Sequence, residues 1–159
     1  MKNYNYYLLK GIGRIGLGEE DGCITDLHFE NGRTPAGEIT VSETPLLKEA
    51  YTQLCQYVSG DRRKFNLPLA PRGTDFQLRC WKALCAIPYG ETRSYKEIAA
   101  AAGSPKGCRA VGMANNRNPI AIIIPCHRVI GADGTLVGFG GGLEVKIFLL
   151  ELERTHADN

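Results

Sequence analysis

The 159-residue sequence contains no window approaching the roughly 18 consecutive apolar residues of a membrane-spanning helix. Met1-Lys2-Asn3-Tyr4-Asn5 leads into no signal-peptide core either, so a cytoplasmic protein with no membrane partner is expected. Histidine is scarce: His28, His127 and His156 are the only three. Cys23 and His28 make a pair, but two ligands do not make a tetrahedral zinc site, and no metal is expected. The six cysteines include no C-x-x-C pair, so reduced thiols are expected rather than a disulfide framework. A glycine-rich strand-to-helix fingerprint is missing as well. Gly11-x-Gly13 lacks its third glycine and reads as a turn, so no nucleotide-type cofactor is expected.

What is present is ordinary in bulk and uneven in detail. The net charge is only +2, yet Met1 to Arg72 carries nine basic and nine acidic residues while Gly73 to Ala132 carries eight and three. A basic segment in a nearly neutral chain suggests one face turned to an anionic partner; a solvated Lys-rich surface is the bland alternative.

The fold class expected is α+β. A small N-terminal antiparallel sheet with a covering helix occupies 1–72, including its linker, and a mainly helical domain with a winged helix-turn-helix-like motif occupies 73–159. β-type runs fall at Tyr6 to Lys10, Arg14 to Leu17 and Cys23 to Phe29, with Asp21-Gly22 as a hairpin turn and Asn31-Gly32 closing the third run. Thr44 and Pro45 open a helix to Ser59, stopped by Gly60, whose apolar stripe is Leu47, Ala50, Leu54 and Val58. Leu67 to Gly73, with two prolines, reads as the linker. Thr74 to Gln77 and Ser94 to Glu97 are capping boxes, the first opening a helix to about Ala86, the second a short helix through Ala102 that Gly103 ends. Ser104-Pro105 then opens a third helix to about Asn115, which carries Lys106 and Arg109 beside the small residues Gly107, Ala110, Gly112 and Ala114. The last two helices fit a helix-turn-helix or an internally packed helical hairpin.

The chemical centre is Asn118 to Ile130, an apolar run that delivers Pro125-Cys126-His127-Arg128. A cysteine fixed by a proline beside His and Arg is a candidate nucleophile; a packed structural thiol is the alternative. Neighbours in an extended segment face opposite ways, so a direct Cys126–His127 pair is not expected. Cys23, Cys55, Cys80 and Cys85 read as core packing and Cys108 as an exposed thiol. Tyr4, Tyr6 and Tyr7 read as strand residues, and Arg62-Arg63-Lys64 as a solvated loop.

Pro125-Cys126-His127-Arg128-Val129, with Arg109-Ala110-Val111-Gly112 and Asn118-Pro119 before it and Gly141-Gly142-Leu143 after it, resembles the O6-alkylguanine-DNA alkyltransferase family over roughly Phe76 to Glu153. The resemblance implies stoichiometric, irreversible DNA repair. The alkyl group on O6 of guanine in double-stranded DNA, and on O4 of thymine, passes to Cys126 of a monomeric protein after the nucleotide is flipped from the minor-groove side. It implies that His127 draws the thiol proton through a water, that Glu153 orients His127, and that Asn118 braces the segment. Tyr95 helps rotate the nucleotide and donates to the base, and Arg109 fills its place in the duplex. Ser94, Lys106, Arg117, Ala110 and Gly112 complete the DNA face, and Val129, Gly138, Phe139 and Gly140 the substrate pocket. Tyr95 and the amides of Gly138 to Gly141 are the donors available to the leaving oxygen. Phe139 and Ala121 depart from the tyrosine and proline of some members, which bears on the size of alkyl group accepted.

Overall fold

The structure is a computed structural model that describes residues 1–30, 32, 34, 35, 37–136 and 139–157. Strands β1 (Lys2–Leu9), β2 (Gly13–Glu20) and β3 (Cys23–Phe29) form an antiparallel meander. Asp21 and Gly22 both take positive φ, as a two-residue hairpin turn requires. β1 begins four residues earlier than the sequence pattern indicates. A short fourth strand, β4 (Ile39–Val41), pairs parallel with its start, giving the order β3-β2-β1-β4.

Helix α1 (Pro45–Val58) is capped by Thr44, whose hydroxyl accepts from the Leu47 amide, and lays Leu47, Ala50 and Leu54 over the sheet against Ile15 and Leu17. Tyr4 covers the opposite face, its ring lying where a side chain on Gly16 would sit. The expected linker is pinned rather than loose. Ile24 donates to Pro68 O and Ala70 donates to Ile24 O, so the segment runs along β3 and the apolar cores of the two halves merge.

Helix α2 (Asp75–Cys85) and helix α3 (Tyr95–Ala101) both carry complete capping boxes, at Thr74/Gln77 and Ser94/Glu97. Helix α4 starts at Cys108, not at Pro105, and runs to Asn116. Ser104-Pro105 opens a turn instead: Gly107 N donates to Ser104 O, with Pro at the second and Gly at the fourth turn position. The same dipeptide suits a helix start and a turn start, and the glycine decides for the turn. Strand β5 (Arg93–Ser94) pairs parallel with β6 (Val129–Ile130), and helix α5 (Leu143–His156) closes the chain. Among the described residues, no helix is long and apolar enough to cross a membrane.

Candidate active site

Cys126 to Arg128 forms a single turn of 3-10 helix rather than the extended segment expected, and all three residues are buried. The chain reaches it through a tight loop in which Ile124 N donates to Ile120 O and Ile122 adopts φ +70°. A β-branched residue there is strained, a cost of about 1–3 kcal/mol that surrounding structure must offset. Asn118 supplies part of that support. Its Nδ2 donates to Ile124 O at 2.8 Å and its Oδ1 accepts from Ile120 N at 3.0 Å, so one side chain ties both ends of the loop.

Behind Cys126 lies a buried ionic cluster around Glu153 of α5. Its Oε1 accepts from Arg128 Nε at 2.8 Å and from Gly90 N at 3.1 Å. Its Oε2 accepts from Arg128 Nη2 at 2.9 Å, from Tyr57 of α1 at 2.5 Å, and contacts His127 Nε2 at 2.8 Å. Burial opposes the charge, yet the hydrogen bonds from His127 and Arg128 hold the Glu153 carboxyl well below the usual carboxylate range. Arg128 is fixed further by donating to Ile87 O at 2.7 Å. Burial depresses the pKa of His127, with Glu153 pulling the other way, so the ring is neutral at neutral pH. The bond to the carboxylate places the proton on Nε2, and Nδ1 has no hydrogen-bond partner among the described residues.

Burial pushes the Cys126 thiol up to about 11, despite a hydrogen bond from Asn118 and the charge of Lys146, which both act to lower it. Lys146 is itself buried in α5 and donates to Val129 O at 2.7 Å. The sequence reading missed Lys146 and Tyr57. The signal for Lys146 was the helical period: Lys146, Leu149 and Glu153 share the buried stripe of α5, where a lysine has no place unless it is partnered.

Cys126 opens on a cavity of about 290 Å³ lined by Leu27, His28 and Phe29 of β3, Asn115, Asn116 and Asn118 at the end of α4, Ala121, Phe139 and Gly140. Phe29 and Phe139 pack with ring centroids 5.6 Å apart, bringing the glycine-rich segment against the end of β3. Val129, expected in this pocket, is instead sealed in the core. Gly138 lies outside the described residues, as does Asn31 of the expected turn.

Tyr95 is half-buried at the first position of α3, just after Ser94. Its hydroxyl pKa is raised by burial and, secondarily, by the electrostatic influence of Cys126. On α4, Arg109 and Ala110 are exposed and Gly112 is partly so, with Lys106 exposed in the preceding turn and Arg117 at the C-cap. Ala114 is not on that face. It is buried, and its carbonyl accepts from Trp81 Nε1 at 2.9 Å, because the helix turns that position toward α2. Cys80 is buried and Cys23 and Cys55 are half-buried, whereas Cys85 is exposed, contrary to expectation; Cys108 is exposed as expected. His28 is held by Asp26 at 2.8 Å in a buried cluster with Lys2, away from any partnership with Cys23. Arg63 is more than a solvated loop residue: it donates to His156 O and stacks over Tyr89.

The sequence pattern of the family described as 6-O-methylguanine DNA methyltransferase, DNA binding domain, matches residues 75–155. The methylated-DNA--protein-cysteine methyltransferase of Methanosarcina barkeri is 54% identical over 149 residues, covering 91% of this chain and 93% of that one. This chain belongs to the 6-O-methylguanine DNA methyltransferase family. The constitutive methylated-DNA--protein-cysteine methyltransferase of Bacillus subtilis is 48% identical over 158 residues, covering 94% of this chain and 96% of its own. The structure resembles the crystal structure of Mycobacterium tuberculosis OGT in complex with DNA, with a TM-score of 0.90 at 46% identity over 97% of this chain and 94% of that one. The likeness spans nearly the whole molecule, so family membership covers the N-terminal sheet as well as the cysteine-bearing half.

Proposed function

We propose that this protein repairs DNA by transferring the alkyl group from O6 of an alkylated guanine to Sγ of Cys126, once per molecule and irreversibly. The observation that carries the proposal is the buried Cys126 thiol at the floor of a cavity, backed by a neutral His127 whose far nitrogen is locked to Glu153. A thiol held near 11 is almost wholly protonated at neutral pH, so the reaction needs a base. His127 Nδ1 takes the thiol proton through a bridging water, and the imidazolium that forms is stabilised by Glu153. The sulfur attacks the alkyl carbon, the C–S bond forms as the C–O6 bond breaks, and the electron pair leaves on the guanine oxygen. Tyr95 and the backbone amides of Gly140 and Gly141 are the donors for that oxygen. The product is a thioether, which the chain has no means to reverse. O4-alkylthymine, with the same alkyl–oxygen electrophile, is a second substrate.

An alkyl carbon within a stacked duplex lies out of reach of a buried sulfur, so the nucleotide must leave the stack. The exposed start of α4 is suited to this. Ala110 and Gly112 let the helix approach the minor groove, Arg109 occupies the space the nucleotide leaves, and Ser94, Lys106 and Arg117 take phosphates. The basic excess of 73–132 supports the same face. The test is stoichiometry: with excess duplex containing O6-methylguanine, mass spectrometry should find one methyl per protein, on the Cys126 peptide. Repeated turnover, or a methyl group elsewhere, would refute the reading. A cysteine–histidine hydrolase is disfavoured because, among the described residues, no hydrogen bond joins His127 to the Cys126 thiol and Nδ1 of His127 has no partner.

A further inference from the structure

The segment that carries Cys126 divides its side chains between two cavities. Ala121 and Cys126 line the one already described, whereas Ile122, Ile123, Pro125 and Arg128 line a second, of about 530 Å³, that shares no wall residue with it. Phe65, Leu67 and Leu69 of the linker form another part of the second wall, and the loop after α2 from Cys85 to Tyr89 completes it. The backbone bonds of Ile24 to Pro68 and Ala70 hold the linker in place there. A cavity of this size at the junction of the two halves, walled mainly by apolar side chains with a few polar groups, has the make-up of a small-molecule site.

The polar groups in this wall are donors. Arg63, Lys64 and Arg128 are basic, and among the described residues no aspartate or glutamate lines the cavity. Arg128 is paired with Glu153, and Arg63 donates to His156 O and lies over the Tyr89 ring. Lys64 is exposed and makes no ion pair among the described residues, so its charge is unanswered. Tyr89 adds a hydroxyl that is shielded from solvent and has no hydrogen-bond partner among the described residues, a cost that a bound acceptor would remove. Burial, and then the charge of Glu153, raise the pKa of that hydroxyl, so it remains a donor at neutral pH. We propose that this cavity binds a small aromatic carboxylate, its apolar body between the linker and Ile122, Ile123 and Pro125, its carboxylate held by Lys64 and Tyr89. A single negative charge suits the one unanswered positive charge, whereas a dianion would be left half unpaired. The site stands independently of the alkyl-transfer reading. Because the linker and the Cys126 segment both wall it, its ligand ties the two halves together and raises stability by mass action.

Two thiols make the test direct. Cys85 lines the cavity and is exposed, whereas Cys108 is exposed but does not line it. The experiment follows iodoacetamide labelling of each cysteine by peptide mass spectrometry as 2-naphthoate is titrated, with 2-naphthamide and inorganic phosphate as comparisons. 2-Naphthoate should slow Cys85 labelling saturably and leave Cys108 unchanged. The amide, which keeps the apolar body but loses the charge, should bind at least about tenfold more weakly, the scale of one hydrogen bond to a charged group. Phosphate, which lacks the apolar body, should give no protection at the same concentrations. Lys64→Glu should lose the protection. Tyr89→Phe should weaken it by about tenfold while melting no lower than wild type without ligand, since it removes an unpaired hydroxyl. Thermal melting confirms that both variants fold. Cys85 labelling indifferent to 2-naphthoate, equal protection by the amide or by phosphate, or undiminished protection in Lys64→Glu would each overturn the proposal. So would protection of Cys126 with Cys85 unaffected, which places the probe in the other cavity.

Discussion

His127→Gln isolates the proton relay from the rest of the site. Glutamine keeps an N–H to offer Glu153, so the ionic cluster retains its donor, but it supplies no base. With the thiol pushed up to about 11, the unaided Cys126 is ionised at pH 7.5 to only about 3 parts in 10,000. That fraction corresponds to roughly 5 kcal/mol, at about 1.4 kcal/mol per pH unit. In the proposed relay the proton passes to a neutral imidazole whose pKa burial depresses. Its rate should therefore be flat from pH 7.5 to 9.5 and fall only when the pH drops below the ordinary histidine value of about 6.5. In His127→Gln the reactive species is the thiolate alone, so log rate should rise with unit slope and the rate should climb about 100-fold between pH 7.5 and 9.5. The assay is protein mass after timed exposure to free O6-benzylguanine, a base that needs no flipping, with thermal melting to confirm the fold. A variant with a flat profile, or one as fast as wild type at pH 7.5, would show that His127 does not carry the thiol proton.

Three further perturbations test the framework. Glu153→Gln leaves Arg128 buried beside a neutral amide and should cost about 3–5 kcal/mol, seen as a melting temperature lower by roughly 6–20 °C at pH 7. Since the folded-state pKa of Glu153 is depressed, its contribution is complete above the usual carboxylate range and is lost progressively as pH falls below that range toward the depressed folded value, so the deficit should shrink in strong acid; unchanged melting at pH 7 would contradict the account. Asp26→Asn should lower the urea midpoint at neutral pH by breaking the buried ion pair with Lys2, and the difference from wild type should fade as the pH approaches the Asp26 value of about 2. Arg109→Ala should slow repair of duplex by at least about tenfold while sparing reaction with free O6-benzylguanine, because only the duplex pays for unstacking; equal losses on both substrates would remove the intercalating role.

The features legible in the sequence were those whose chemistry is local. Two capping boxes and the Asp21-Gly22 turn each act within a few residues and stand where the residue pattern placed them, whereas the Pro125-Cys126-His127-Arg128 run is buried as expected but coils into a 3-10 turn instead of an extended segment. What escaped depends on distant partners. β4 is three residues long and exists because the start of β1 offers an edge to it. Ala114 and Arg109 looked equivalent as parts of one helix until the packing of α2 assigned them to opposite faces. The Glu153 cluster draws Tyr57 from α1, Gly90 from the loop after α2, and His127 and Arg128 from the turn after Pro125, a convergence that no window of sequence contains.

The same cluster accounts for a thiol that is poorly ionised yet able to react. A low-pKa cysteine would be open to any oxidant or electrophile that reached it, and a single-use acceptor lost in that way is lost for good. Burial keeps Cys126 protonated, while the neutral His127 behind it is oriented by Glu153, which Tyr57 of α1 holds in turn. In the proposed reaction, reactivity is thus conditional on a substrate that fills the cavity and brings an alkyl carbon onto the sulfur as the proton departs. The N-terminal half takes part in that condition. Leu27, His28 and Phe29 wall the cavity, and Tyr57 secures the carboxylate, so loosening the contact between the halves should make Cys126 less selective before it makes the protein unfold. Tyr57→Phe, which removes one donor to Glu153 at a cost of about 1 kcal/mol, is the gentlest way to produce that state, and faster labelling of its Cys126 by a small general thiol reagent is the expected sign.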